Sequence, residues 1–92
     1  MLSGGAGHDT LGGGDGRDRL NGDAGNDHLE GDSENDRLDG GDGDDYLDGG
    51  DGSNILIGDT GKNHIKAASA TDLVISNADD LVDAAPGAMV LS

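Results

Sequence analysis

The chain has 92 residues, a formal net charge of -15, 19 glycines, one aromatic residue and no cysteine. This composition excludes a disulfide-stapled domain and supplies few of the large apolar side chains that build an ordinary core. The acidic balance also excludes nucleic acid and anionic lipid as partners, since both select basic surfaces, and it makes multivalent cations the natural counterparts.

The sequence shows neither the pattern of a cleavable signal peptide nor that of a membrane-spanning segment. Met1 to Ser3 lead directly into the first glycines, so we expect no cleavable signal peptide. No apolar run approaches the roughly 20 residues needed to cross a bilayer, and we expect no membrane insertion.

Residues 4–66 are built from seven units of nine residues, with the consensus G-[GD]-x-G-x-[DN]-x-[LI]-x. The eighth position of each unit is aliphatic: Leu11, Leu20, Leu29, Leu38, Leu47, Leu56 and Ile65. The sixth position is always aspartate or asparagine: Asp9, Asp18, Asp27, Asp36, Asp45, Asn54 and Asn63. A period of this length, kept without a slip, predicts a solenoid and not a disordered acidic linker.

The first six positions of each unit predict a tight turn with positive φ, because glycine adopts that backbone conformation without steric penalty. Such a turn leaves carbonyl groups pointing inward without backbone partners. Ca²⁺ takes six to eight oxygen ligands and mixes carbonyls with carboxylates. A carbonyl-lined turn that ends in aspartate is therefore half of a calcium site.

The last three positions of each unit, such as Thr10 to Gly12, predict a very short strand. Side chains alternate across a strand, so the aliphatic residue points inward and its neighbours point to solvent, as for Arg19, His28, Arg37 and Tyr46. Two units make one coil, and odd and even units then form two separate parallel sheets. Leu11, Leu29, Leu47 and Ile65 line one sheet, and Leu20, Leu38 and Leu56 line the other.

The nonapeptide resembles the RTX, or haemolysin-type, calcium-binding repeat, whose motif is G-G-x-G-x-D-x-U-x with U a large aliphatic residue. The resemblance implies an all-β, right-handed parallel β-roll in which each Ca²⁺ lies between turns n and n+2. Odd turns then offer three sites and even turns two, which gives about five Ca²⁺. Besides the seven residues at the sixth position, the expected ligands are Gly5, Gly7, Gly14, Gly16, Asp23, Gly25, Asp32, Gly41, Gly43, Gly50, Gly52, Asp59 and Gly61.

Two repeats depart from this pattern. Glu34 replaces glycine in repeat 4, and Asn54 replaces aspartate in repeat 6. Both border the second even-side site, which we expect to be the weakest. Asn63 similarly lowers the charge of the last odd-side site, although its neutral oxygen remains a ligand.

Residues 67–92 differ in composition from the repeats, and we treat residues 1–66 and 67–92 as two parts. Asp72 and Val74 keep the ligand and core positions of a degenerate eighth coil. A helical piece from Asn77, a turn at 85–87 and an apolar run at 88–91 then follow. We interpret this part as a cap on the stack; the alternative, by resemblance, is a segment related to type I secretion.

Calcium is expected to drive folding, because one buried aliphatic residue per nine stabilises far less than ordering the backbone costs. The resemblance implies a secreted, extracellular module with an upstream domain in a larger bacterial protein. The alternative function is a calcium-dependent polysaccharide-binding or adhesion module that uses Arg19, Arg37, Tyr46 and Lys62. No catalytic motif is present, so we predict no enzyme activity, and the spacing of His8, His28 and His64 does not match a zinc site.

Overall fold

The computed structural model describes residues 2–77 and 79–91, and these residues form strands and turns only. The strands are β1 (Leu2–Ser3), β2 (Thr10–Gly12), β3 (Arg19–Asn21), β4 (His28–Glu30), β5 (Arg37–Asp39), β6 (Tyr46–Asp48), β7 (Ile55–Ile57), β8 (His64–Ala67), β9 (Leu73–Ile75), β10 (Leu81–Ala84) and β11 (Met89–Leu91). Within these ranges there is no helix long and apolar enough to cross a membrane.

The strands form two parallel sheets of a β-solenoid of about five coils. We name each sheet after the repeats that it contains, not after its strand numbers. The even sheet, with repeats 2, 4 and 6, has the strand order β1-β3-β5-β7-β9-β11, and the odd sheet, with repeats 1, 3, 5 and 7, has the order β10-β8-β6-β4-β2. Partners within the repeats lie 18 residues apart, as in Leu29↔Leu47 and Leu38↔Leu56. The predicted all-β parallel roll is confirmed, with odd and even repeats on separate sheets.

The core is a single column of aliphatic side chains between the sheets. Each strand of the repeats points its middle residue inward, because side chains alternate across a strand. The fully buried members are Leu20, Leu29, Leu38, Leu47, Leu56, Ile65, Ala67 and Val74. Leu11, in the first odd coil, is only partly buried and packs against this column.

The turns have the positive φ that their glycines predict. The second and fourth residues of all seven repeats are in the left-handed region, including the non-glycine residues Asp23, Asp32, Glu34 and Asp59 at φ 63°, 67°, 70° and 58°. An L-residue adopts this conformation at a cost, and aspartate tolerates it better than most residues. Repeat 4 carries two such residues, Asp32 and Glu34, which makes its turn the most strained of the seven.

Residues beyond the repeats continue the same two sheets. β9 extends the even sheet with Val74 opposite Leu56, and β10 extends the odd sheet with Val82 opposite Ile65. The expected helical piece is therefore wrong: residues 81–84 alternate between exposed and half-buried, as in a strand, and the edge of β8 offers them backbone hydrogen bonds. Ala78 and Ser92 of this part lie outside the described residues.

The chain then turns and adds a last strand, as expected for residues 85–87. The Ala88 amide donates to the Ala85 carbonyl at 3.0 Å, and Gly87 has φ 98°. β11 pairs with β9 and leaves its apolar residues exposed, with Met89 at 60%.

Candidate metal centre

The sixth residues of the repeats link each turn to the turn two repeats earlier. We number the turns by their repeats, so that turn n comprises the first six residues of repeat n. One oxygen of Asp27 accepts the backbone N–H of Asp9 at 2.8 Å, and Asp45 accepts that of Asp27 at 2.7 Å. On the other edge Asp36 accepts the N–H of Asp18 at 2.7 Å. The even spacing of these bonds holds turns n and n+2 in fixed stacking.

The second carboxylate oxygen of the same residues is buried without a hydrogen-bond partner among the described residues. This holds for the Oδ2 atoms of Asp9, Asp18, Asp27, Asp36 and Asp45. Asp27, Asp36 and Asp45 are 3%, 4% and 3% exposed, so water does not compensate them. A buried, unpaired carboxylate oxygen is costly unless a proton or a cation neutralises it.

The surroundings of these oxygens are other oxygens. A methyl group at Gly22 would lie 2.7 Å from Asp27 Oδ2 and 2.7 Å from the carbonyl oxygen of Gly40, which begins turn 5. On the other edge, a methyl group at Gly31 would lie 2.6 Å from Asp36 Oδ2 and 2.7 Å from the Gly49 carbonyl oxygen. A carboxylate of turn n and a carbonyl of turn n+2 therefore face the same small space.

Further carbonyls are stacked along both edges of the solenoid. A methyl group at Gly43 would collide with the Gly25 carbonyl oxygen, and one at Gly61 would collide with that of Gly43. The fourth carbonyl of one turn thus lies directly against the turn two repeats later. Glycine is required here for space as well as for its positive φ.

The carboxylates at the second and fourth positions have a different task. Asp23 accepts the N–H of Gly5 at 3.0 Å, and Asp32 accepts that of Gly14 at 3.1 Å. Glu34 accepts the N–H of Gly16 at 2.8 Å. In these contacts the side chains join turns n and n+2 through one carboxylate oxygen each.

Burial and mutual repulsion raise the pKa of three acidic residues in the turns. Burial, opposed in part by a hydrogen bond from the Asp27 backbone, raises the pKa of Asp45 to about 7. Burial likewise raises the pKa of Asp36. A hydrogen bond with Asp39, together with burial, raises the pKa of Asp59 to about 6. The metal-free turns therefore hold more negative charge than they can solvate near neutral pH.

The donor set fits a hard cation such as Ca²⁺. Across residues 2–77 and 79–91, no three His, Cys, Asp or Glu side chains come together at one point to bind a metal. An ion in these turns must therefore combine single carboxylates with carbonyl oxygens. Ca²⁺ accepts such a set, whereas zinc prefers nitrogen and sulfur ligands.

The structure arranges the predicted sixth-position ligands in two rows, one on each edge. The odd row is Asp9, Asp27, Asp45 and Asn63, and the even row is Asp18, Asp36 and Asn54. The predicted glycines and aspartates at the second and fourth positions lie in the same turns, all with positive φ. Their roles as calcium ligands remain predictions.

Sequence reasoning missed Asp80, which takes the sixth-position role in a ninth turn. It accepts the Asn63 N–H at 2.8 Å, just as Asp72 accepts that of Asn54 at 2.7 Å. Asp80 lies 17 residues after Asn63, not 18, and this one-residue shift hides it from a nonapeptide search. The pattern Asp80-Leu81-Val82, with an acid two residues before an aliphatic residue, was the available signal.

A second missed feature is a row of rings on the outer face of the odd sheet. The rings of His28 and Tyr46 are 4.8 Å apart, and those of Tyr46 and His64 are 5.0 Å apart. The 18-residue spacing of these three residues predicts such a row once the two-repeat coil is known. Together with Lys62 they line an open groove of about 300 Å³.

Comparisons with known proteins agree with this geometry. The profile of the RTX calcium-binding nonapeptide repeat matches the chain in four copies, at residues 1–29, 21–56, 30–65 and 48–80. Neither the curated proteins nor the solved structures gave a match. The matched copies span most of the chain and include the stacked, oxygen-lined turns. The chain belongs to the RTX calcium-binding nonapeptide repeat family.

Proposed function

We propose that this chain is a module that folds when it binds Ca²⁺ outside the cell, as part of a larger protein exported by a type I system. The observation that carries the proposal is a set of five buried carboxylate oxygens, one in each of the first five turns, that find no hydrogen-bond partner in the part of the chain that the structure describes. Membership of a calcium-binding family supports the identity of the ion.

The residues that would hold the ions follow from the turn geometry. In each site the Oδ2 of the sixth residue of turn n supplies one charged ligand, and carbonyls at the turn positions with positive φ supply neutral ones. Turns 1 to 5 each have a partner turn two repeats later, which gives about five sites. When bound, Ca²⁺ neutralises carboxylates that otherwise repel one another and oppose folding.

Calcium-dependent folding suits export followed by function outside the cell. A module whose sites need Ca²⁺ at ~10⁻⁴–10⁻³ M stays unfolded in the cytosol and folds where calcium is abundant. Because the ions bind the folded chain and not the unfolded one, their binding free energy adds to the free energy of folding. Stacked turns that share ions make the transition cooperative.

The decisive experiment is a calcium titration of the chain followed by far-UV circular dichroism and isothermal titration calorimetry. We expect a cooperative, chelator-reversible change from coil to β signal and an uptake of about five ions per chain. Mg²⁺ at the same concentrations is the control and should produce little change, because it demands tight octahedral geometry. A β spectrum that chelator leaves unchanged, or an uptake of only one or two ions, would contradict the proposal.

The groove on the odd sheet supports a second candidate, a calcium-dependent polysaccharide-binding module. Tyr46 and Lys62 line that groove together with His28 and His64. Arg19 and Arg37 are also predicted from the sequence to contact a glycan. They are register partners on the neighbouring strands β3 and β5 of the even sheet, and so lie on a different face. A glycan array with and without Ca²⁺ tests this function, and loss of a signal in Tyr46→Ala but not in Arg37→Ala would place the glycan in the groove.

A further inference from the structure

The two asparagines at the sixth position close their turns with hydrogen bonds of their own. The Asn63 side-chain amide donates to the carbonyl oxygens of Gly58 at 2.8 Å and Thr60 at 3.3 Å. The Asn54 amide donates to the carbonyl oxygens of Asp51 at 3.3 Å and Gly52 at 3.5 Å.

The orientation of both amides is fixed by a second contact. Asn54 Oδ1 accepts the N–H of Asp36 at 2.8 Å, and Asn63 Oδ1 accepts that of Asp45 at 2.7 Å. These are the same bonds that aspartate Oδ1 makes in the earlier turns, so the amide nitrogen must occupy the place of Oδ2. At this place aspartate presents an oxygen without a proton to carbonyl oxygens, whereas asparagine presents two N–H donors.

In the next turn along each edge, the second oxygen of the sixth-position aspartate accepts a backbone N–H. Asp72 Oδ2 accepts the N–H of Ser69 at 3.1 Å, and Asp80 Oδ2 accepts that of Asn77 at 2.9 Å. From Asn54 onward, the sixth-position side chains of the described residues therefore satisfy their turns through hydrogen bonds alone.

We propose that the side-chain amides of Asn54 and Asn63 take the place of Ca²⁺, so that the ion array ends at turn 5 and the last steps of the solenoid are metal-free. This inference rests on the proposed calcium function. It also changes which site Asn54 affects. Asn54 Oδ1 supports the contact between turns 4 and 6 as an aspartate oxygen does, so that site is not weakened. The Asn54 amide instead replaces the ion at the next site along the edge, between turn 6 and the turn that ends in Asp72.

Asn54→Asp tests this directly, because it restores an unpaired oxygen at a turn that now lacks one. We expect calorimetry to show an uptake of about one more Ca²⁺ per chain than the parent binds, with the affinities of the original sites unchanged. Asn35→Asp is the matched control: Asn35 is exposed, its side-chain oxygen already accepts the Ser53 N–H, and the charge change is the same. That control should leave the uptake at the parent value.

Asp45→Asn is the reciprocal exchange and protects the test against a variant that fails to fold. It places an amide where Asp45 Oδ2 now lies, and we expect an uptake of about one Ca²⁺ fewer per chain. If Asn54→Asp stays unfolded in excess calcium, the Asp45→Asn result decides alone. An unchanged uptake in Asp45→Asn, or a tighter existing site without a new one in Asn54→Asp, overturns the inference.

The parent chain separates the two levels of failure. A parent that takes up no Ca²⁺ overturns the proposed function itself. A parent that takes up about five ions, with both exchanges leaving that number unchanged, overturns only the role of the asparagine amides.

Discussion

Turns 1 to 5 and the turns from Asn54 onward share one backbone geometry and differ in how they are neutralised. Both regions have short parallel strands in register and, from turn 3 onward, a sixth residue that accepts an N–H from two turns earlier. In the first region five buried carboxylate oxygens have no hydrogen-bond partner among the described residues. In the second, amide N–H groups or backbone N–H groups occupy the equivalent places.

The comparison shows that the shape of the turn does not itself require metal. The deciding feature is whether the second polar atom of the sixth residue has a hydrogen-bond partner. An unpaired carboxylate oxygen demands a cation, whereas an NH₂ group bonds the surrounding carbonyls directly, and the Oδ2 atoms of Asp72 and Asp80 accept backbone N–H groups. Calcium dependence is therefore assigned turn by turn along the solenoid, as expected for a fold in which each repeat contacts only its neighbours.

The largest expected effect separates the two regions by calcium removal. We expect this effect at the calcium concentration at which folding is half complete, the calcium midpoint. There, backbone amides of residues 4–48 should exchange at least about tenfold faster than those of residues 54–91, because only the first region loses its neutralising ions. Hydrogen-exchange mass spectrometry measures this difference, and saturating calcium, where both regions are protected, is the control. Equal exchange rates in both regions at every calcium level would show that the solenoid unfolds as one unit.

A smaller effect should be common to both regions, because it depends on turn stacking and not on the ion. Gly43→Ala and Gly61→Ala each place a methyl group against a carbonyl of the turn two repeats earlier, at φ 104° and 91°. We expect each to lower the free energy of unfolding in saturating calcium by at least about 1–3 kcal/mol, measured by urea denaturation.

Gly12→Ala is the matched control for this pair. A methyl group there has ordinary clearance, with its nearest neighbour Asp32 Oδ2 at 3.7 Å, and Gly12 does not have positive φ. We expect a change within about 0.5 kcal/mol. A cost in Gly43→Ala but none in Gly61→Ala would mean that stacking is tight only in the calcium-dependent turns.

The smallest effect is a pH dependence to which Asp45, in the aspartate turns, contributes through its raised pKa. Burial raises the pKa of Asp45 from 3.8 to about 7, so the folded chain binds this proton more tightly than the unfolded chain. This contribution to metal-free stability is present below pH 3.8 and is lost as pH rises to about 7. In chelator, circular dichroism should therefore show more β structure at pH 5 than at pH 8.

The same titration weakens calcium binding, because protons compete with Ca²⁺ for the carboxylate. The calcium midpoint should rise as pH falls below about 7. Asp45→Asn should reduce both pH effects, whereas the exposed Asp83→Asn should leave them unchanged. A pH dependence that survives unaltered in Asp45→Asn would assign it to other acids.

The sequence by itself determined the strands, the turns and the core of the repeats. Each is a local consequence of the nine-residue period: an aliphatic residue every nine positions fixes the buried column, and glycine at the second and fourth positions fixes positive φ. The odd and even sheets also follow from the period, and the pairing of Leu29 with Leu47 confirms them. The family follows from the same residues.

Only the tertiary structure decided how the two carboxylate oxygens of one aspartate differ. Asp45 and Asn63 occupy the same position in the repeat. Whether Asp45 Oδ2 and the Asn63 amide nitrogen find a hydrogen-bond partner depends on the carbonyl groups that the stacking of the turns brings near them. The same holds for β10, where the edge of β8 converts an ambiguous segment into a strand, and for Asp80, which joins the row despite its shifted spacing. These outcomes depend on contacts between residues far apart in the chain, which a local repeat pattern does not specify.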